Sequence, residues 1–421
     1  MITCVYYVFI EKKGETGDFI KKIKKGLSQK FKEYKQLPKL RKYLSREYRG
    51  YVSEHMAQQY VQQGYTLLKT DNIEVPLIID NGWIPQEPIP SHKIKLEFTE
   101  DKPPLPFKWD RLSNRLKREI NSNLFDAMTY RLLKIERNAT LKFIFCHGSY
   151  FDYVETCEAY AWDLARALDS AINRSKSRKT FPAILKDIYQ TDIDASLELR
   201  NKISNILDLK NRSAAVGVVV LTVISDLMNE GAAKFLVQRR GSHVTEAVNT
   251  VSVVPGGTFQ PFHINDLYRI FEFDFNYTIL REFGEEILNK SSLEPTNLTG
   301  LHPFAPFESD QELTNLRILF QSDDVKRYYM GIGIDTVTLK PELMMLLLIN
   351  GQRLVKAIPR MKSMIQGNWE GTIQPEKFTR QKLNEYLELP ETVAVAKGCM
   401  ALALKHFDWI QKELENLTLY P

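Results

Sequence analysis

Cysteine is scarce: four residues in 421, at positions 4, 146, 157 and 399. They are too few and too scattered for a disulfide scaffold, and no pair has zinc-ligand spacing. A reducing, cytoplasmic location is the simplest expectation. Long apolar runs are missing as well. The stretches 2–10, 214–224 and 343–349 all fall short of the roughly 18–20 residues that span a bilayer. The first of them lacks the basic residues that precede a signal-peptide core, so it reads as a strand. Internal repeats and low-complexity tracts are absent. With 43% hydrophobic, 26% charged and 11% aromatic residues, the composition is that of a folded soluble protein and excludes collagen-like or wholly disordered chains. The length favours two to three domains.

Charge is unevenly spread. Residues 11–50 hold fourteen Lys or Arg against five Asp or Glu, a local balance of +9 in a chain of net +5. Such a block suits a nucleic-acid or acidic protein partner. The plainer reading is a solvated helix, since Ile20, Ile23, Leu27, Phe31 and Tyr34 repeat at helical spacing. Aromatic residues among those lysines (Phe19, Phe31, Tyr34, Tyr43, Tyr48) would also suit a phosphate backbone, although no zinc finger or RNA-recognition motif accompanies them.

Pro76, Pro85, Pro88, Pro90, Pro103, Pro104 and Pro106 predict looping chain that excludes helix and central strand. That sets a boundary: a basic, mostly helical N-terminal region at 1–105, an α+β extension at 106–212, and a further α+β domain at 213–421. Within the extension, 130–145 predicts a hairpin and 151–174 a helix, with a second helical stretch at 183–209. Beyond 213, strands are expected at 216–225, 233–239, 248–254 and 328–339. A helix is expected at 276–289 and a long helical pattern at 392–417. Mixed strands and helices argue an α+β layered domain.

The segment Arg281-Glu282-Phe283-Gly284-Glu285-Glu286 carries the chemistry. On a helix, Glu282, Glu285 and Glu286 stand at i, i+3 and i+4 and crowd one face. Arg281 reaches Glu285 at i+4 but cannot serve all three. Clustered hard oxygens suit Mg²⁺ or Mn²⁺, whose other ligands are water and phosphate oxygens. Upstream, Pro255-Gly256-Gly257 ends a strand and lets backbone approach a ligand closely. Before it, Phe235 to Arg240 is a strand finishing in two arginines. Arg239 and Arg240 suit a phosphate clamp.

This order resembles the Nudix hydrolase superfamily: a strand ending in Gln-Arg-Arg, a Pro-Gly-Gly turn, and a helix bearing Arg-Glu-x-x-Glu-Glu. The resemblance covers about 213–350. It implies an α/β/α sandwich with a mixed sheet at 213–421, closed by a C-terminal helix. It also implies metal-dependent hydrolysis of a pyrophosphate in a nucleotide or nucleotide derivative. By that match Glu282, Glu285 and Glu286 are metal ligands and catalytic, Arg281 holds the helix geometry, and Gly257 leads the box. The sequence departs from the family pattern in its spacing, with about ten extra residues between Gly257 and Arg281. Phe273 stands where the box has a further glutamate; Glu272 and Asp274 flank it, and a small register shift would restore an acid there. Leu288 replaces a glycine. Segments 128–133, 149–153 and 259–261 resemble bacterial regulator-like proteins with an atypical domain of this kind.

Other side chains bear on the same site. His243, His263 and His302 fall in loops expected to frame a nucleotide. Glu308, Asp310 and Glu312 form an acidic loop from which a general base could come. Cys146 and His147 are adjacent, which alone does not make a catalytic pair. Two functions follow: a hydrolase, or a nucleotide sensor that passes its state to a partner or to nucleic acid through the N-terminal region. The sequence leaves the oligomeric state open; a homodimer is one assembly, common for proteins of this size.

Overall fold

The computed structural model describes residues 37–70, 73–138, 140–175, 197–225, 232–241, 249–262, 268–293, 302–362 and 371–418. The expected strand at 2–10, the basic stretch as far as residue 36, His243, His263 and Cys4 lie outside the described residues, as does 176–196.

Thirteen strands are described: β1 (Thr66–Thr70), β2 (Ile73–Ile79), β3 (Ile89–Pro90), β4 (Lys95–Phe98), β5 (Met128–Arg137), β6 (Leu141–Ser149), β7 (Gly217–Ser225), β8 (Lys234–Arg240), β9 (Val251–Val253), β10 (Gly256–Thr258), β11 (Val325–Asp335), β12 (Pro341–Asn350) and β13 (Gly371–Lys377). The main sheet runs β1-β2-β11-β12-β7-β8-β13, with β3 on β11, β9 on β8 and β10 on β7; β4-β6-β5 form a smaller sheet. Six helices matter here: α1 (Arg46–Gln62), α2 (Ala159–Ser175), α3 (Phe275–Glu282), α4 (Gln311–Gln321), α5 (Ala394–Lys405) and α6 (Phe407–Thr418).

The run at 343–349 becomes the central strand β12, paired parallel with β7 from Glu342↔Gly217 to Asn350↔Ser225. Its unbroken apolar character has a simple cause: both faces are covered. Leu343, Met345, Leu347 and Ile349 enter one core with α2, α3 and α4, while Met344, Leu346 and Leu348 enter a second with α5 and α6. Each of these side chains contributes about 1.5–3 kcal/mol on burial. The fold is therefore α+β, with a mixed sheet between two helical layers, and the described N-terminal residues up to Gln62 are helical. On the second face α5 comes in close. A Cβ at Gly398 would lie 2.5 Å from Met344 Sδ and 2.8 Å from Leu77 Cδ1, so any larger residue there would have to push those side chains aside.

Most expected elements stand where the periodicity puts them: the hairpin β5–β6, a helical stretch from 150 to 175, and strands β7, β8, β9 and β11. The pattern at 392–417 divides at His406 into α5 and α6. Two expectations are corrected. Pro76 lies inside β2, a strand flanked by β1 and β11. The register there steps from Leu67↔Ile78 to Leu68↔Val75, so the proline occupies a bulge, where a missing N–H interrupts no ladder bond. The described part of the 183–209 stretch is not a continuous helix; residues 197–211 form loops with single turns at Arg200–Lys202 and Leu209–Asn211.

Buried guanidinium groups explain those loops. Arg131, wholly enclosed on β5, donates to the carbonyls of Arg212 (3.0 Å), Pro103 (2.6 Å) and Lys210 (2.5 Å). Arg212 donates to the carbonyls of Leu339 (3.0 Å), Ile206 (2.8 Å) and Asp208 (3.2 Å). Carbonyls that a helix would use internally are thus taken by guanidinium groups, that of Lys210 by Arg131 and those of Ile206 and Asp208 by Arg212. Replacing Arg131 with Met leaves three carbonyls without these donors. The Arg212 carbonyl keeps the Ala214 N–H at 3.0 Å, so two are left unsatisfied; at about 1–3 kcal/mol for each, the change should cost at least about 2 kcal/mol, read as a lower urea midpoint.

Candidate active site

Helix α3 starts at Asp274, whose side chain accepts from the Asn276 N–H at 2.8 Å. It buries Phe275, Ile279 and Leu280 in the first core. Directly after Glu282 the helix widens into a π turn, Phe283–Ile287, a distortion common at functional sites. The turn carries Glu285 and Glu286 inward: Glu282, Glu285 and Glu286 are 7%, 8% and 1% exposed, and Arg281 is 1% exposed.

The four side chains form one connected group with the glycine turn. Arg281 pairs with Glu282 through Nη2 and with Glu285 Oε2 through Nη1 at 3.2 Å. Burial alone would lower the Arg281 pKa, but the charges of Glu282 and Glu285 raise it overall. Glu286 is served differently: its Oε2 accepts the Gly256 N–H at 2.8 Å. A Cβ on Gly257 would fall 2.0 Å from Glu282 Oε1, so glycine at 257 makes room for that carboxylate. Strand β10 holds both glycines against β7, pairing Gly256 with Val219 and Gly257 with Val218.

A fourth acid belongs to the group. Glu272 has no exposure, and its charge acts on both Arg281 and Tyr277. Burial drives the Tyr277 pKa upward; Arg281 opposes that rise and Glu272 adds to it. In the sequence Glu272 is visible only as a neighbour of Phe273. Four enclosed carboxylates thus share this part of the fold with one guanidinium. Among the described residues no group of three or more His, Cys, Asp or Glu is arranged to hold a metal ion; Glu282 and Glu285 are turned onto Arg281. The donor set is all oxygen, which suits a hard divalent ion.

The two arginines of β8 part company. Phe235 and Val237 enter the second core and Leu236 the first. Alternation therefore puts Arg240 with Leu236 and Gln238 on the glutamate side and Arg239 on the other. The charge of Arg239 acts on Tyr386, on that opposite side. Gln238 is fully buried, and neither atom of its amide has a hydrogen-bond partner; periodicity gives no sign of that.

The acidic loop is occupied with structure. Asp310 caps α4 by accepting from the N–H groups of Glu312 and Leu313. It pairs with Lys290 at 2.6 Å, and Glu312 pairs with Lys290 at 2.9 Å and Arg360 at 2.7 Å. Glu308 lies 3.6 Å from Arg317. Burial works to raise Asp310 and Glu312, but Lys290 outweighs it, so both sit below their ordinary 3.8 and 4.5. His302 is exposed among Tyr268, Phe271 and Phe304.

Cys146 is buried, which raises its thiol pKa. His147 packs its ring 4.6 Å from Phe98, and successive strand residues face opposite ways. The described end of the basic block docks internally, with Lys39 and Tyr43 both on Asp169, at 3.0 and 3.1 Å.

No protein-family model matches the chain, and no curated protein sequence matches it. Among solved structures it is similar to a mutT/nudix family protein from Listeria innocua, at 13% identity and TM-score 0.26, over 48% of this chain and 97% of that one. It is similar to the Nudix hydrolase RenU from M. smegmatis, at 9% identity and TM-score 0.21, over 48% and 91%. A third likeness is to a NUDIX hydrolase from Alicyclobacillus acidocaldarius, at 15% and 0.25, over 47% and 95%. At such scores these likenesses add nothing to what strand order and burial already show.

Two outcomes follow. Replacing Gln238 with Met removes an unsatisfied buried amide and should raise the melting temperature, by about 1 kcal/mol of added stability. Replacing Lys290 with Met should lower stability at neutral pH. Because Lys290 depresses two carboxylates, the wild-type advantage is complete above pH 4.5 and disappears as pH falls through the depressed values. Denaturant titrations of both proteins across pH 2–7 measure it.

Proposed function

We propose that the chain is a Nudix-type hydrolase that cleaves a pyrophosphate linkage in a nucleotide or nucleotide derivative. The observation that carries this is the enclosed group of Glu272, Glu282, Glu285 and Glu286 around Arg281, packed on the Gly256–Gly257 turn. Phosphoanhydride hydrolysis requires charge on two phosphates to be neutralised and a water to be made nucleophilic. Glu282, Glu285 and Glu286 would hold Mg²⁺ or Mn²⁺, which supplies Lewis acidity and lowers the pKa of bound water.

The remaining work falls to the chain itself. Arg281 keeps the carboxylates from driving the helix apart, and Gly257 gives Glu282 its place. Arg240 lies on the same side of the sheet and matches a phosphate in a forked, two-bond geometry. A carboxylate of the group takes the proton from the attacking water. As the water oxygen bonds to phosphorus, the bridging P–O bond breaks, and the bridging oxygen leaves on the departing phosphate. The described cysteines Cys146, Cys157 and Cys399 are all buried free thiols, which supports a reducing, cytoplasmic location.

The test compares the wild type with Glu286→Gln on nucleoside diphosphate derivatives, with Mg²⁺ and Mn²⁺ tried separately and products read by mass spectrometry. The variant should lose at least about a hundredfold in rate while keeping its circular dichroism spectrum. A ligand that raises the wild-type melting temperature without being cleaved would favour a nucleotide sensor instead.

A further inference from the structure

Beside the carboxylates, four rings from two separate segments gather at the surface. His302 has its ring centroid 5.4 Å from Tyr268, 4.9 Å from Phe271 and 5.8 Å from Phe304, and Phe271 lies 6.4 Å from Phe304. Phe304 packs against the first core, and from it the cluster reaches solvent. Phe271 is 39% exposed and its neighbour Ile270 is 83% exposed, and His302 is exposed too. One cation lies against the rings: the Arg317 guanidinium stands 4.2 Å over Phe304 and 3.6 Å from Glu308. Exposed apolar surface rimmed by charge marks a binding surface.

The rings are continuous with the carboxylate group. Phe304 meets Tyr277 edge-on at 5.4 Å, and the Tyr277 hydroxyl donates to the Pro303 carbonyl at 3.2 Å. Tyr277 in turn lies in the field of Arg281 and Glu272. Glu272 also closes the helical turn Arg269–Glu272 that carries Phe271. Through Tyr277 one side chain stands between the ring cluster and the acids, and Phe271 precedes Glu272 in the chain.

We propose that Tyr268, Phe271, His302 and Phe304 form the subsite for the nucleobase of a nucleoside diphosphate derivative. The proposal rests on the pyrophosphate hydrolase reading, which places the diphosphate at the glutamates. A base offers two π faces, and stacking on aromatic rings with an arginine nearby satisfies them without selecting one base over another. The subsite accordingly takes an aromatic base as a class. It distinguishes a nucleotide from a bare pyrophosphate.

Calorimetric titration of the full chain with ADP and with inorganic pyrophosphate, each with Mg²⁺, tests this on the wild type, Phe271→Ser, His302→Ala and Glu286→Gln. Both ring positions are exposed, and an unchanged unfolding midpoint checks that their variants fold. The expected result is about tenfold weaker ADP binding in Phe271→Ser, with pyrophosphate binding unchanged and both ligands weakened in Glu286→Gln. Unchanged ADP binding in both ring variants would overturn the subsite and leave the hydrolase reading standing. Equal weakening of ADP and pyrophosphate in the ring variants would also overturn it, since no base would be read. Failure of the wild type to bind either ligand would overturn both proposals.

Discussion

The two-sided burial of β7 and β12 is the constraint from which the rest follows. Two parallel strands with apolar side chains on both faces can exist only if each face is roofed. One roof is α5 with α6; the other includes α2, α3 and α4. The glutamate helix is thus part of the covering that the sheet requires, and its polar edge is fixed by its apolar edge. Ile279, Leu280 and Phe283 pack inward, and the acids between them are carried to a rim where the β9–β10 turn meets β7.

That position has an electrostatic cost that the surrounding residues limit. An enclosed carboxylate is tolerable when a charge or an N–H group answers it. Arg281 answers two acids, and the backbone of Gly256 answers a third. The arrangement is self-consistent as it stands.

Much of this was legible from residue spacing. The glutamate trio follows from i, i+3, i+4 positions, and the reach of Arg281 to Glu285 with insufficient capacity for all three is what the structure shows. Glu286 turns to the glycine turn instead. Strand β7 was legible from its valines. The apolar run of β12 was long enough to notice, but its place at the centre of the sheet depends on which strands lie beside it. Pro76 misled because a bulge is a property of two strands in register. The loops at 197–211 misled because their carbonyls go to guanidinium groups, that of Lys210 to Arg131 from a strand far upstream and those of Ile206 and Asp208 to Arg212. Glu272 and Gln238 carry no periodic signal; their meaning comes from enclosure alone.

The π turn at Phe283–Ile287 is in effect a helix with one residue too many. Each residue of a helix turns the chain by about 100°, so the extra one rotates everything after it relative to Glu282. Glu285 and Glu286 both lie within that turn, and Gly284 sits beside them with Leu293 Cδ1 2.4 Å from where a Cβ would be. Chain length inside those five residues therefore acts as an angular setting on the acids. A homologue one residue shorter there would keep every glutamate in its sequence and still present them to a different neighbour.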